Sequence, residues 1–306
     1  MDAQTIRLRK LRDFGATISD SVQYLKLYWK PLLLRYLVFV VPFLLVATLL
    51  GANSFSRFFG QLSNIETLGS KPFSVFTGSF FVAMLMYFLS TVAYATVVYQ
   101  FMRHTEEKQG AIPTMQETGS AFLPKMLSNL GYLILASIGI IALLLFSIVP
   151  IIGILIAMLA IIWFAVDLAL LFPANTVEDL AFPGAFQRMF RLIRDRWWYT
   201  FGVMIIFGLI FYFFSTVINL VASTIFGLGA VNFLKPADPS TVFTEKYFLV
   251  MGFSAIVQQI FYLIVHVGVG VHYFSLVEEK DGSGLEAQID QLGLDKGPHA
   301  DIEEQY

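Results

Sequence analysis

Few side chains in this sequence could do chemistry, and most of those that could lie inside long apolar runs. Asp167 sits in Trp163–Phe164–Ala165–Val166–Asp167–Leu168. A carboxylate in such a setting is costly and is usually paired or functional. Arg35 lies at comparable depth near the start of another apolar run. Asp167 can be read as a proton or ion site, or as a structural group, either paired with Arg35 or capped by a nearby polar group; the structural reading is favoured. His266 and His272 invite a proton relay or metal ligation. Six positions apart, they project roughly 120° from each other on a helix with about 3.6 residues per turn. That differs from the same-face i, i+4 pair of a zinc motif, and interhelical hydrogen bonding is the reading favoured for both. Asn219, Gln258 and Gln259 would glue helices together at about 1 kcal/mol or less each, or would line a polar substrate path. Gly268 and Gly270, with Gly227 and Gly229, are expected to allow close helix approach.

The recognisable catalytic patterns are missing. There is no nucleophile elbow, P-loop, dinucleotide fingerprint or zincin motif. The sequence has no cysteine, so disulfides, thiolate zinc sites, cysteine-ligated clusters and a Cys nucleophile are excluded. No cofactor is expected, and the chain reads as a non-enzyme. The net charge of −2 gives no basic field that would point to nucleic acid.

The elements that must position these residues follow from composition. Of 306 residues, 57% are hydrophobic and 14% charged, with mean hydropathy +0.71. Soluble domains carry about a quarter charged residues, so the natural solvent here is a bilayer. A spanning helix needs about 20 mostly apolar residues. Six windows qualify: Leu32–Gly51, Val75–Met102, Ser128–Val149, Ile151–Pro173, Tyr199–Leu228 and Tyr247–Leu276. The predicted fold class is all-α, a polytopic transmembrane helix bundle. Val149–Gly153 reads as a tight turn between two spans, a re-entrant pair being the alternative. Ala52–Pro72 and Ala230–Lys246 read as outer loops. The N-terminus does not read as a secretory signal, because its first apolar run begins near Leu32.

Sixteen of the twenty Lys and Arg residues fall on one side of this arrangement. By the positive-inside rule both termini are expected in the cytoplasm.

Amphipathic segments precede three of the spans: Thr17–Lys30, Thr114–Leu127 and Phe182–Trp198. Ile18, Val22, Leu25 and Trp29 recur at helical spacing in the first, and Phe182, Phe186, Met189, Phe190, Ile193 and Trp197 in the third. Each starts at or just after a possible capping pair, Thr17 with Asp20, Thr114 with Glu117, Thr176 with Asp179. The organisation predicted is a lead of residues 1–16, three repeats of about 17–110, 111–179 and 180–280, and a polar tail of 281–306. Each repeat is an interfacial helix followed by a helical hairpin.

The stretch from Thr176 to Trp198 joins an acidic cap, a small-residue turn, a basic amphipathic helix and a Trp pair. It resembles the membrane domain fused to some glycerophosphoryl diester phosphodiesterases, and related bacterial six-span families. The resemblance implies a polytopic inner-membrane protein. It implies no phosphodiesterase activity, since that chemistry belongs to a separate soluble barrel, and no catalytic residue carries over.

The basic face of this segment points to anionic headgroups through Arg188, Arg191, Arg194 and Arg196, with Trp197 and Trp198 at the interface. The function expected is a scaffold or accessory subunit binding anionic lipid, a membrane-protein partner or a second copy. The alternative is a transporter or channel using Asp167 and His266.

Overall fold

Prolines and caps decide where the long helices begin and break. The structure is a computed structural model that describes residues 6–62, 76–148, 151–226 and 244–282. Helix α1 (Phe14–Phe39) is capped by Asp13, whose carboxylate accepts from the Ala16 N–H at 2.7 Å. It stops before Val40 because Pro42 lacks an N–H and crowds the preceding turn. Helix α2 (Val41–Leu62) follows directly. Next come α3 (Gly78–Glu107), capped by Thr77, and α4 (Met115–Leu144), extended by a 3₁₀ turn at Leu145–Ile148. Helix α5 (Ile152–Leu168) gives way at Ala169–Leu170 to α6 (Leu171–Glu178), where Pro173 withholds the N–H that the Ala169 carbonyl would take. Then follow α7 (Phe182–Ile193), α8 (Trp197–Ile225) and α9 (Glu245–Asp281), which Gly282 closes at φ 66°.

Among the described residues, six helices are long and apolar enough to cross a membrane: α2, α3, α4, α5 continued by α6, α8 and α9. The architecture is the expected all-α polytopic bundle. The first window is shifted, however. Leu32–Gly51 straddles the Pro42 break, so its first part belongs to α1, and α2 runs on through Ala52 to Leu62. The turn residues Val149 and Pro150, loop residues 63–75 and 227–243, and the tail from residue 283 lie outside the described residues.

Of the three expected caps, only Thr114 with Glu117 forms, as a reciprocal capping box. Thr17 lies inside α1, Thr176 lies inside α6, and Asp179 ends α6 at φ 54°. The amphipathic segments of α1 and α4 continue into longer helices, whereas α7 stands as a separate helix.

The buried stripe of α1 is also not its oiliest one. Thr17, Ser21, Tyr24 and Tyr28 are fully buried, while Ile18, Val22 and Leu25 are half-buried and Trp29 is exposed. Lipid is as apolar as Leu, so an oily stripe gains little by turning inward. The hydroxyl stripe gains hydrogen bonds instead: Tyr24 with Thr105 at 2.7 Å and Tyr28 to the Gly110 carbonyl at 2.8 Å.

Helix α9 is the centre of the bundle, touching α1, α2, α3, α7 and α8. Every residue from His266 to Glu278 is buried. A Cβ at Gly268 would overlap the ring of Phe207 on α8, and one at Gly270 would overlap Met102 on α3. Gly268→Ala should therefore destabilise the bundle by about 1–3 kcal/mol through overpacking. Thermal unfolding in detergent checks this, and Phe207→Leu in the same chain should recover part of the loss.

Candidate functional site

Helix ends gather at one end of the bundle, and charge gathers with them. Arg188 on α7 donates to Glu178 at the end of α6 (3.0 Å) and to Asp281 at the end of α9. The Tyr273 hydroxyl also donates to Glu178. Burial disfavours the Arg188 cation, but hydrogen bonds from Arg188 to Asp281 and the nearby Glu178 charge outweigh it and raise its pKa. Lys280 reaches Asp195 at 2.8 Å and Arg196 reaches Glu279 at 2.8 Å. Arg103 and Lys125 converge on Asp179. Burial raises the Asp179 carboxyl, yet those two donors more than offset it and hold it below the usual range. The segment before α1 is tied in as well. Glu106 accepts from the Leu8 N–H at 2.9 Å, and the buried Arg12 side chain donates to the Leu8 and Lys10 carbonyls and to Asp20.

This belt corrects one of the expected headgroup residues. Arg188 falls in the stripe Ala185–Arg188–Met189–Leu192, which is buried, so its charge is spent on Glu178 and Asp281. Arg191 is exposed, 4.0 Å from Asp281. Arg194 is exposed and makes no ion pair among the described residues. Trp197 stacks on Phe201 with ring centres 5.2 Å apart, and its indole N–H approaches the Trp163 carbonyl at 3.4 Å. Trp198 is 78% exposed. The turn Arg194–Arg196 and the start of α8 face α5 across a groove of about 1020 Å³, lined on the α5 side by Ile156, Leu159, Ala160 and Trp163.

The intramembrane polar residues go to separate places. Arg35 donates to Thr118 Oγ1 at 2.9 Å and to the carbonyls of Pro31 (3.0 Å) and Pro113, and it lies over the Phe101 ring. The expected Arg35–Asp167 pair is thus not made, because Arg35 turns toward the start of α4. Asp167 is buried, and neither oxygen has a hydrogen-bond partner among the described residues. Gln258 and Asn219 do meet: the Gln258 amide donates to Asn219 Oδ1 at 2.9 Å, and Ser215 donates back to Gln258. The Gln259 side-chain oxygen is buried without a partner among the described residues, and its backbone carbonyl accepts from Tyr94. His266 is enclosed by Tyr94, Tyr99 and Tyr262, with ring centres 4.8–5.8 Å away. His272 pairs with Thr200 at 2.8 Å. The two histidines thus meet different helices, α3 and α8. No group of metal-ligating side chains forms among the described residues.

One polar cluster was not anticipated. Asn129 on α4 donates to Thr96 (2.9 Å) and Thr176 (3.1 Å), and Asn175 donates to Asn129 Oδ1 at 2.7 Å. It locks α3, α4 and α6 together. The signal available was two asparagines flanking apolar runs, at positions only a fold could bring together.

Removing the Arg188 side chain leaves Glu178 with the Tyr273 hydroxyl and Asp281 with the more distant Arg191. Arg188→Ala should cost about 1–3 kcal/mol through its lost charge-assisted hydrogen bonds, against about 0–1 kcal/mol for Arg191→Gln at the surface; unfolding in detergent ranks the two. Asp167→Leu should raise stability by about 1–3 kcal/mol, since it removes a buried group that gains no bond; a fall would reveal a partner for the carboxylate. The chain matches no family model, and comparison with curated proteins and with solved structures returned no match.

Proposed function

We propose that this chain is a non-enzymatic, multi-pass protein of a bacterial inner membrane that acts as a scaffold or accessory subunit. Its basic end faces the cytoplasm and holds anionic lipid. The observation that carries the reading is the dispersal of the intramembrane polar groups. A transporter built on Asp167 and His266 needs them on one path, near an interface between halves of the bundle. Here Arg35 serves the start of α4, Gln258 and Asn219 bind α8 to α9, and His266 packs among tyrosines. The cavity between α2, α3 and α9 is walled by residues such as Leu44, Phe55 and Met251, and that between α1, α8 and α9 by Leu33, Phe214 and Leu263. None of the candidate polar residues lines either one.

The lipid side of the reading draws on Arg191, Arg194 and Arg196, exposed beside Trp198. Basic residues next to a span attract acidic headgroups at about 1 kcal/mol each. The exposed apolar sides of α5 and α8 supply surface for a membrane partner or a second copy.

Thermal unfolding in nanodiscs of phosphatidylglycerol and of phosphatidylcholine tests this. The anionic discs should give the higher Tm, by ligand linkage. The difference should shrink at high salt and vanish when Arg191, Arg194 and Arg196 are all changed to Gln. Proton flux in vesicles that changes with Asp167→Asn would instead favour the transporter.

A further inference from the structure

We infer that the groove between α5 and the start of α8 is a discrete site for one anionic phospholipid, with its phosphate at Arg194 and an acyl chain along α5. The inference rests on the lipid-holding reading and narrows it from a basic rim to a single place.

Three observations converge there. The first is the shape. The groove encloses about 1020 Å³, the upper end of the size range of small-molecule sites, about 300–1,000 Å³. Its far wall is α5, where Ile156, Leu159 and Trp163 stand exposed and Ala160 is half-buried. Among these wall residues Ala160 has the short side chain.

The second is the charge that remains after internal pairing. Three ionised side chains sit at the mouth: Arg194, Asp195 and Arg196. Asp195 is taken by Lys280, and Arg196 is shared with Glu279. Among the described residues, the charge left unpaired at the mouth is the Arg194 guanidinium, whose planar donor fork suits a phosphate. Arg196, 47% exposed at its side chain, can add a second contact without leaving Glu279.

The third is the order of chemistry along the groove. Guanidiniums stand at the mouth, and Trp197, Trp198 and Tyr199 come next. Trp and Tyr favour the headgroup level. Ile156 and Leu159 lie one to two turns up α5 from Trp163, toward its start. Phosphate, then aromatic belt, then hydrocarbon is the sequence that a phospholipid presents. A soluble anion would match only the mouth.

Native mass spectrometry of protein released from discs containing equal phosphatidylglycerol and phosphatidylcholine tests the site. The wild type should retain one phosphatidylglycerol in preference to phosphatidylcholine. Arg194→Gln should lower that retention roughly fivefold, the weight of one headgroup arginine. Ala160→Trp, which fills the groove and leaves every charge in place, should also lower it, while Arg57→Gln, exposed at the opposite end of the bundle, should leave it unchanged. Wild-type retention in both Arg194→Gln and Ala160→Trp would overturn the groove and leave the basic-rim reading standing. Absence of any preference for phosphatidylglycerol in the wild type would overturn both. Loss with Arg194→Gln but not with Ala160→Trp would mean a headgroup held without its chain in the groove, and would overturn the site as drawn.

Discussion

From His266 to Glu278, α9 has neighbours on all its faces, and the rest of the bundle is arranged around that constraint. A helix enclosed this way tolerates little bulk, which is why Gly268 and Gly270 stand where Phe207 and Met102 press in. In a bilayer such closeness is a main source of helix association, because apolar burial adds little when the surroundings are already apolar. The same segment carries His272, Tyr273 and Ser275, and each is used. His272 bonds Thr200, Tyr273 bonds Glu178, and Ser275 accepts from the Arg12 N–H.

The two ends of the bundle are held by different chemistry. At the end opposite the charges, Phe55, Phe58, Phe76, Phe80 and Phe248 pack ring to ring. At the charged end, helix termini from α3, α6, α7, α8 and α9 are tied by ion pairs, several of them partly exposed. Exposed pairs contribute little individually. The buried Arg188 is different, since its carboxylate partners are what make its burial tolerable. The belt therefore orients α7 and the turn after it more than it stabilises the fold. That orientation leaves Arg194 and Trp198 on the outside, next to the groove.

Polar groups inside the spans follow the same economy. The backbone of a membrane helix must satisfy itself, and here side chains reinforce it. Tyr36 and Tyr94 donate to carbonyls of α9, and Arg35 donates to the carbonyls of Pro31 and Pro113. Asp167 departs from this, as the Gln259 side-chain oxygen does: both are buried with no hydrogen-bond partner among the described residues.

What the sequence determined by itself is the all-α class, the six spans and the Thr114–Glu117 cap, because these depend on local composition and on contacts three or four residues apart. Hydropathy marks length and place regardless of what packs where. The first span differs at both ends: Pro42 breaks the apolar window near its middle, and Ala52–Leu62, which reads as the start of an outer loop, continues α2. What only the tertiary structure decided is which stripe of each helix turns inward. Periodicity identifies the oily stripes of α1 and α7, but in a bilayer oil has two equivalent homes. The choice falls to partners distant in the chain: Thr105 and Gly110 for α1, Asp281 for α7. For the same reason Arg188 could not be told from Arg194 in the sequence. Nor could Arg35 be kept from its expected partner Asp167, since similar depth says nothing about which way two helices face.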